Sequence, residues 1–154
     1  MAKDVGGKSL LPSDHFESPF KDLQPVRDGD LEMSVHEKFY CNDGNVPGYY
    51  FRVSVGGQPA GVFMALLTDD IERIHETGNV GIGLEPEFQG LDLPTRTVDL
   101  IAPVLKDHGL NRLFIVFDPE TDSIRRACKN LRAEYVDTIN GSDGKMIERH
   151  ALEI

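Results

Sequence analysis

Where Val80-Gly-Ile-Gly-Leu84 gives way to Pro94-Thr-Arg-Thr-Val98, an extended pattern meets a helical one, and this junction could hold an anion. The first turn of a helix leaves several backbone N–H groups without acceptors, and the aligned peptide dipoles add partial positive charge there. A glycine nearby, here Gly90, lets a phosphate come close to the backbone. The plainer reading is that Gly90 only makes a turn. A second junction, Asp118-Pro-Glu-Thr-Asp-Ser123, leads into another helical pattern, and both Thr121 and Asp122 are good helix N-caps. Gly78, Gly81 and Gly83 sit in and beside the extended run. Glycine weakens a strand, so this repetition implies close approach of another backbone or of a ligand.

Other chemistries find no support. There is no Gly-x-Ser-x-Gly elbow and no Gly-x-x-x-x-Gly-Lys phosphate loop. His15, His36, His108 and His150 show no metal-ligand spacing, and no metal is expected. The formal charge of −10 argues against nucleic acid and against an anionic membrane surface. Cys41 and Cys128 are the only cysteines, too few and too far apart for a disulfide framework or a zinc site. No apolar run approaches the roughly 18 residues of a membrane span, and the first ten residues lack the apolar core of a signal peptide. The expected location is the cytoplasm.

The elements that must position these junctions follow from periodicity. The 154 residues suit one domain, and 40% hydrophobic with 27% charged residues is an ordinary globular composition. Residues 1–28, with Pro12, Pro19 and Pro25, read as an irregular arm ordered only by packing of Leu10, Leu11, Phe16 and Phe20. Leu31, Met33 and Val35 alternate with polar residues as a half-buried strand does, and Cys41 to Gly48 reads as a loop. Tyr49 to Val55 and Ala60 to Leu67 flank Gly56-Gly57, which predicts a hairpin. Thr68 to Thr77 reads as a charged loop. Val98, Ile101 and Leu105 form a helical stripe with Leu100 and Val104; Pro94 suits its first turn, Pro103 should kink or shorten it, and Gly109 ends it. Leu113 to Phe117 is apolar on both faces, as a buried parallel strand is. Ile124, Ala127, Cys128 and Leu131 mark a second helix. Ala133–Ile139 and Lys145–Glu153 form a closing hairpin. The resulting order is β–β–β–β–α–β–α–β–β, an α+β fold with one crossover inside a mostly antiparallel sheet.

This order, the run Gly78-Asn-Val-Gly-Ile-Gly-Leu-Glu-Pro-Glu-Phe-Gln-Gly90 and the segment Phe117-Asp-Pro-Glu-Thr121 resemble the GNAT superfamily of acyl-CoA-dependent N-acyltransferases over residues 29–154, above all its small bacterial members. The resemblance implies a single domain there, in which the strand ending at Leu84 splays from the strand beginning at Arg112. It implies acetyl-CoA as cosubstrate, its pantetheine arm lying along Ile82, Gly83 and Leu84. The diphosphate would rest on the loop Gln89, Gly90, Leu91, Asp92, Leu93, Pro94 and Thr95, with Thr121 and Ile124 contributing from the second helix. Leu84 would offer a backbone N–H to the thioester carbonyl. Cys128 stands where many members place a tyrosine that protonates the leaving thiolate, although core packing is the plainer reading of a thiol on a buried stripe. Glu76 is the first candidate for the general base and Glu85 the second, with His75 nearby; Asn79 cannot act as a base.

The sequence departs from the family pattern at four positions. Asp92 and Pro94 replace Gly and Gly or Ala in the loop, Thr121 replaces Asn, and Ile124 replaces a small residue. An inward carboxylate beside a diphosphate costs about 1–4 kcal/mol, and proline removes a donor. Two readings therefore stand. One is an acetyltransferase acting on a small-molecule or peptide primary amine by direct attack on the thioester. The other is a protein of the same fold with weakened or lost CoA binding that serves as a protein- or small-ligand-binding module. A homodimer is expected to cover exposed strand edges.

Overall fold

Two glycines with positive φ, Gly56 at +58° and Gly57 at +82°, turn the chain between strands β3 (Val46–Val55) and β4 (Gln58–Leu66), as the sequence predicts. The structure is a computed structural model that describes residues 18–41 and 46–154. The remaining strands are β1 (Val26–Asp28), β2 (Leu31–Cys41), β5 (Val80–Leu84), β6 (Arg112–Phe117), β7 (Glu134–Asn140) and β8 (Met146–Glu153). Helix α1 (Leu93–Asp107) links β5 to β6, and α2 (Asp122–Leu131) links β6 to β7. One eight-stranded sheet results, in the order β1-β2-β3-β4-β5-β6-β8-β7, antiparallel everywhere except between β5 and β6.

The core lies between one face of this sheet and the two helices. Leu31, Met33, Tyr49, Phe51, Val53, Phe63 and Ala65 meet Leu93, Val98, Ile101, Leu105 and Cys128 there, all buried. A smaller cluster of Val46, Leu66, Ile74 and Phe114 occupies the opposite face, covered by Ile71 and Ile74 of the loop after β4. That loop is charged along most of its length, yet Ile74 anchors it at 1% exposure.

Three local expectations need correction. Residues 26–28 of the supposed arm form β1, which pairs with β2 across a turn at Gly29-Asp30. β2 runs on to Cys41 and β3 starts at Val46, so the loop expected from Cys41 to Gly48 is shorter; residues 42–45 lie outside the described residues. A bulge between Val35 and Glu37 hides β2's continuation from a period-two reading, because the extra residue moves Phe39 and Cys41 to the opposite face. Helix α1 runs through Pro103 to Asp107, so Pro103 does not shorten it, and Gly109 follows the end at φ +95° as expected. Leu10, Leu11 and Phe16 lie outside the described residues. Phe20 packs on the core, and the Lys21 amide donates to the buried Tyr49 hydroxyl at 2.9 Å.

Candidate functional site

β5 and β6 run side by side but pair at a single position, Val80 with Ile115. Asn79, fully buried, sets that starting point. Its backbone N–H donates to Phe114 O at 3.1 Å, and its Oδ1 accepts from the Phe114 N–H at 2.8 Å. Its Nδ2 donates to the carbonyls of Thr68 at 3.0 Å and Arg112 at 3.1 Å. Gly78 precedes it at φ +69°, where a Cβ would stand 2.3 Å from Phe114 O. The close backbone approach expected of the glycines occurs here. At Gly83, by contrast, a Cβ would meet nothing within 4 Å.

Beyond Val80 the two strands diverge. The Leu66 N–H donates to Asn79 O at 2.7 Å and the Glu85 N–H to Ala60 O at 2.8 Å, so odd-numbered residues of β5 turn their backbone groups toward β4. By the alternation of an antiparallel ladder, Ile82 and Leu84 turn theirs the other way, into a gap with no strand opposite. The cleft is walled by Ile82, Pro94, Val98, Phe117, Ile124, Ala127, Cys128 and Leu131. At its mouth stand Gly83, Leu84, Gln89, Thr121 and Ser123. An apolar slot with one wall of free amides and carbonyls accepts an extended chain bearing amide groups, which adds to β5 as a strand would.

The mouth is the strand-to-helix junction singled out in the sequence. A single 3-10 turn, Pro86–Phe88, follows β5, and Gln89 folds back so that Nε2 donates to Leu84 O at 3.3 Å. Among the described residues, the amides of Gly90, Leu91, Asp92, Leu93 and Thr95 meet no acceptor. Pro94 has no N–H to give, but it occupies the second helical position and contributes a cleft wall instead. Asp92 takes the left-handed conformation at φ 53°. Its carboxylate is engaged elsewhere, accepting from Thr95 Oγ1 at 2.8 Å and from Asn130 Nδ2 at 3.4 Å. Thr121 holds the N-cap position of α2, but its hydroxyl makes no capping bond and lines the cleft mouth. Ile124 lines both the wall and the mouth.

Two of the expected catalytic side chains are poorly suited to their roles. Glu76 precedes β5 at its closed end and faces a different hollow, between the loop after β4 and the β7–β8 turn. Its Oε1 accepts the Ser142 N–H at 2.6 Å, and this bond holds its carboxyl below the ordinary carboxylate range. Glu76 therefore fastens two loops together and is a weak base remote from the cleft. Cys128 does line the cleft, but burial, aided by the charge of Glu148, pushes its thiol up to about 12. A thiol held that high releases its proton reluctantly. Leu84 stands where the sequence places it, at the end of β5, and Glu85 follows it, exposed.

Behind the Phe117 wall lies a polar cluster that no local pattern announces. Glu148 on β8 binds Arg125 Nη2 of α2 at 3.0 Å and His150 Nε2 at 2.9 Å. His150 stacks on Phe117, and its Nδ1 is buried with no hydrogen-bond partner. Arg125 also reaches Pro119 O, tying α2 to the turn after β6. The Arg125 bond holds the Glu148 carboxyl below its ordinary value, with His150 adding to the effect. Nothing local in the sequence joins residues 125, 148 and 150. The two helical stripes, in contrast, already contain Val98 on α1 and Ala127 and Leu131 on α2 of the cleft wall.

No family model and no curated protein sequence matches the chain. Solved structures do match. The acetyltransferase that modifies the N-terminal serine of 50S ribosomal subunit protein L7/L12 from Salmonella typhimurium superposes with a TM-score of 0.55 at 15% identity, over 70% of this chain and 64% of that one. Aminoglycoside acetyltransferase AAC(6')-Ib, in complex with coenzyme A and kanamycin, gives 0.55 at 16% identity over 69% and 66%. Microcin C7 self immunity acetyltransferase MccE, in complex with acetyl-CoA and AMP, gives 0.57 at 13% over 70% and 61%. The chain spans less than two thirds of the length of each of these proteins. The fold is the GNAT acyl-CoA N-acyltransferase fold, with its splayed parallel strand pair.

Proposed function

We propose that this protein transfers an acetyl group from acetyl-CoA to a primary amine, by direct attack of the amine on the thioester. The observation that carries this reading is the gap beyond Val80, where the backbone of Ile82 and Leu84 faces an apolar slot whose mouth, at Gln89 and Pro94, adjoins the loop with five amides that meet no acceptor among the described residues. Pantetheine is a chain with two amides, matched to a strand edge, and its diphosphate matches the amides from Gly90 to Thr95. The solved neighbours with CoA or acetyl-CoA bound share this fold and support the choice of cosubstrate.

In this reading the cleft wall excludes water from the thioester, and the Leu84 N–H donates to its carbonyl oxygen as charge develops there. The attacking amine adds to the carbonyl carbon, the C–S bond breaks, and the thiolate leaves. Cys128 packs the wall without giving a proton. The amine's proton goes to water or to Glu85 at the end of β5, not to Glu76. A homodimer is part of the proposal: β7 is an edge strand on which Tyr135 is 57% and Val136 48% exposed, a surface suited to a partner edge.

One observation favours the second reading, a binding module without transfer. Ile124 occupies both the wall and the mouth of the slot, where a smaller side chain would leave more room. A thermal unfolding scan with acetyl-CoA separates the two readings. Ligand at 100 times its dissociation constant stabilises by about 2.7 kcal/mol, which raises the midpoint by several degrees. A clear shift, followed by release of free CoA thiol in the presence of primary amines, is the expected outcome. An unmoved midpoint at millimolar acetyl-CoA would leave only the binding module.

A further inference from the structure

The diphosphate seat carries an acid at its centre. Asp92 is the residue just before α1, its own amide is one of the five without an acceptor, and its backbone is held left-handed. A free carboxylate at that position can swing over the amides and occupy the seat itself, or repel an incoming anion. Both of its oxygens are instead taken by donors on the helices. Thr95 Oγ1, one turn into α1, binds Oδ1 at 2.8 Å, and Asn130 Nδ2, near the end of α2, binds Oδ2 at 3.4 Å. Asn130 is exposed and packs no core, so its contact with Asp92 is the only hydrogen bond its side chain makes among the described residues.

We propose that Thr95 and Asn130 are positioning residues that tie down the Asp92 carboxylate, so that it does not swing over the neighbouring amides, and so set the affinity for a donor bearing a diphosphate. This inference rests on the acetyl-CoA reading above and deepens it. The clip acts only through the charge of Asp92, and only on ligands that carry negative charge into the seat. Both restrictions distinguish it from a general role in stabilising the helices.

Calorimetric titrations with CoA and with S-acetylpantetheine, which lacks the diphosphate, test the proposal on the full chain. Asn130→Ala should weaken CoA binding about five- to tenfold at low salt, the effect of one added like charge in a solvated site. Raising the salt should shrink that loss. Thr95→Val, which keeps the backbone amide, should act in the same direction. Neither variant should change S-acetylpantetheine binding, and in an Asp92→Asn background Asn130→Ala should lose its effect on CoA. Equal weakening of both ligands, or a loss that persists with Asp92→Asn, would overturn the clip in favour of a structural role. CoA bound by the parent protein with unchanged affinity in both variants would also overturn it, leaving the transferase reading intact. A parent protein that binds no CoA would overturn both.

Discussion

The two ends of the β5–β6 seam use the same two strands in opposite ways. At the closed end every polar group of Asn79 has a partner: it makes four hydrogen bonds to β6 and the neighbouring loop and accepts the Leu66 N–H, and Gly78 lets the backbones touch. At the open end, five residues later, the Ile82 backbone, the Leu84 N–H and the amides from Gly90 to Thr95 have no partner among the described residues, and the Leu84 carbonyl is met only by the Gln89 side chain. Unpaired backbone groups are costly where they are dry and tolerable where a cleft admits water or a ligand. The contrast teaches that the slot is maintained by its other end. A wedge stays open only if something fixes its apex.

Breaking the apex should give the largest effect. Asn79→Ala leaves the buried Phe114 N–H and two carbonyls without their side-chain partner, and should lower unfolding stability by about 3–5 kcal/mol in denaturant titration. A loss under about 1 kcal/mol would mean that the apex is not where the seam is fastened. Changing the open end should do less to stability and more to binding. Ile124→Ala, in a half-buried wall position, should cost about 1–2 kcal/mol while tightening CoA binding, since it widens the slot. Weaker CoA binding in that variant would show that Ile124 is a contact and not an obstruction.

The smallest effect concerns the far wall. Glu148 has a depressed carboxyl value in the folded protein, mainly through Arg125 of α2 and then through His150. The folded state therefore binds that proton less readily than the unfolded chain does. The stabilisation is complete above the unfolded value of about 4.3 and is lost as the pH falls through the lower folded value. Acidification below about pH 4.3 should thus loosen α2, read by amide exchange along that helix, while the neutral Asn79 apex holds. Glu148→Gln should flatten this pH dependence, and an unchanged acid profile would assign the loosening to other carboxylates.

How much of this was legible in the sequence depended on distance along the chain. The Gly56-Gly57 hairpin, the stripe on α1 and the apolar β6 are local patterns, and periodicity reads them directly. The strand-to-helix junction was likewise visible as a place where amides would go unpaired. The bulge in β2 was not, because one extra residue inverts the alternation on which the reading relies. The contact that engages Glu76 is not legible because its partner, the Ser142 amide, lies 66 residues away. Asp92 looked like an obstruction for the same reason: the Asn130 that holds it comes from the other helix, 38 residues on. Asn79 could be excluded as a base, but its role at the apex required knowing that Thr68, Arg112 and Phe114 converge on it.

The central claim is that the outward edge of β5 is vacant and receives the cosubstrate. Residue-resolved amide exchange with and without acetyl-CoA tests it directly, because neighbouring residues serve as internal controls. Ile82 and Leu84 should exchange fast in the free protein and become protected on adding acetyl-CoA, while Gly81 and Gly83, already bonded to β4, change little. Protection of Ile82 and Leu84 before any ligand is added, or no gain when it is, would contradict the account.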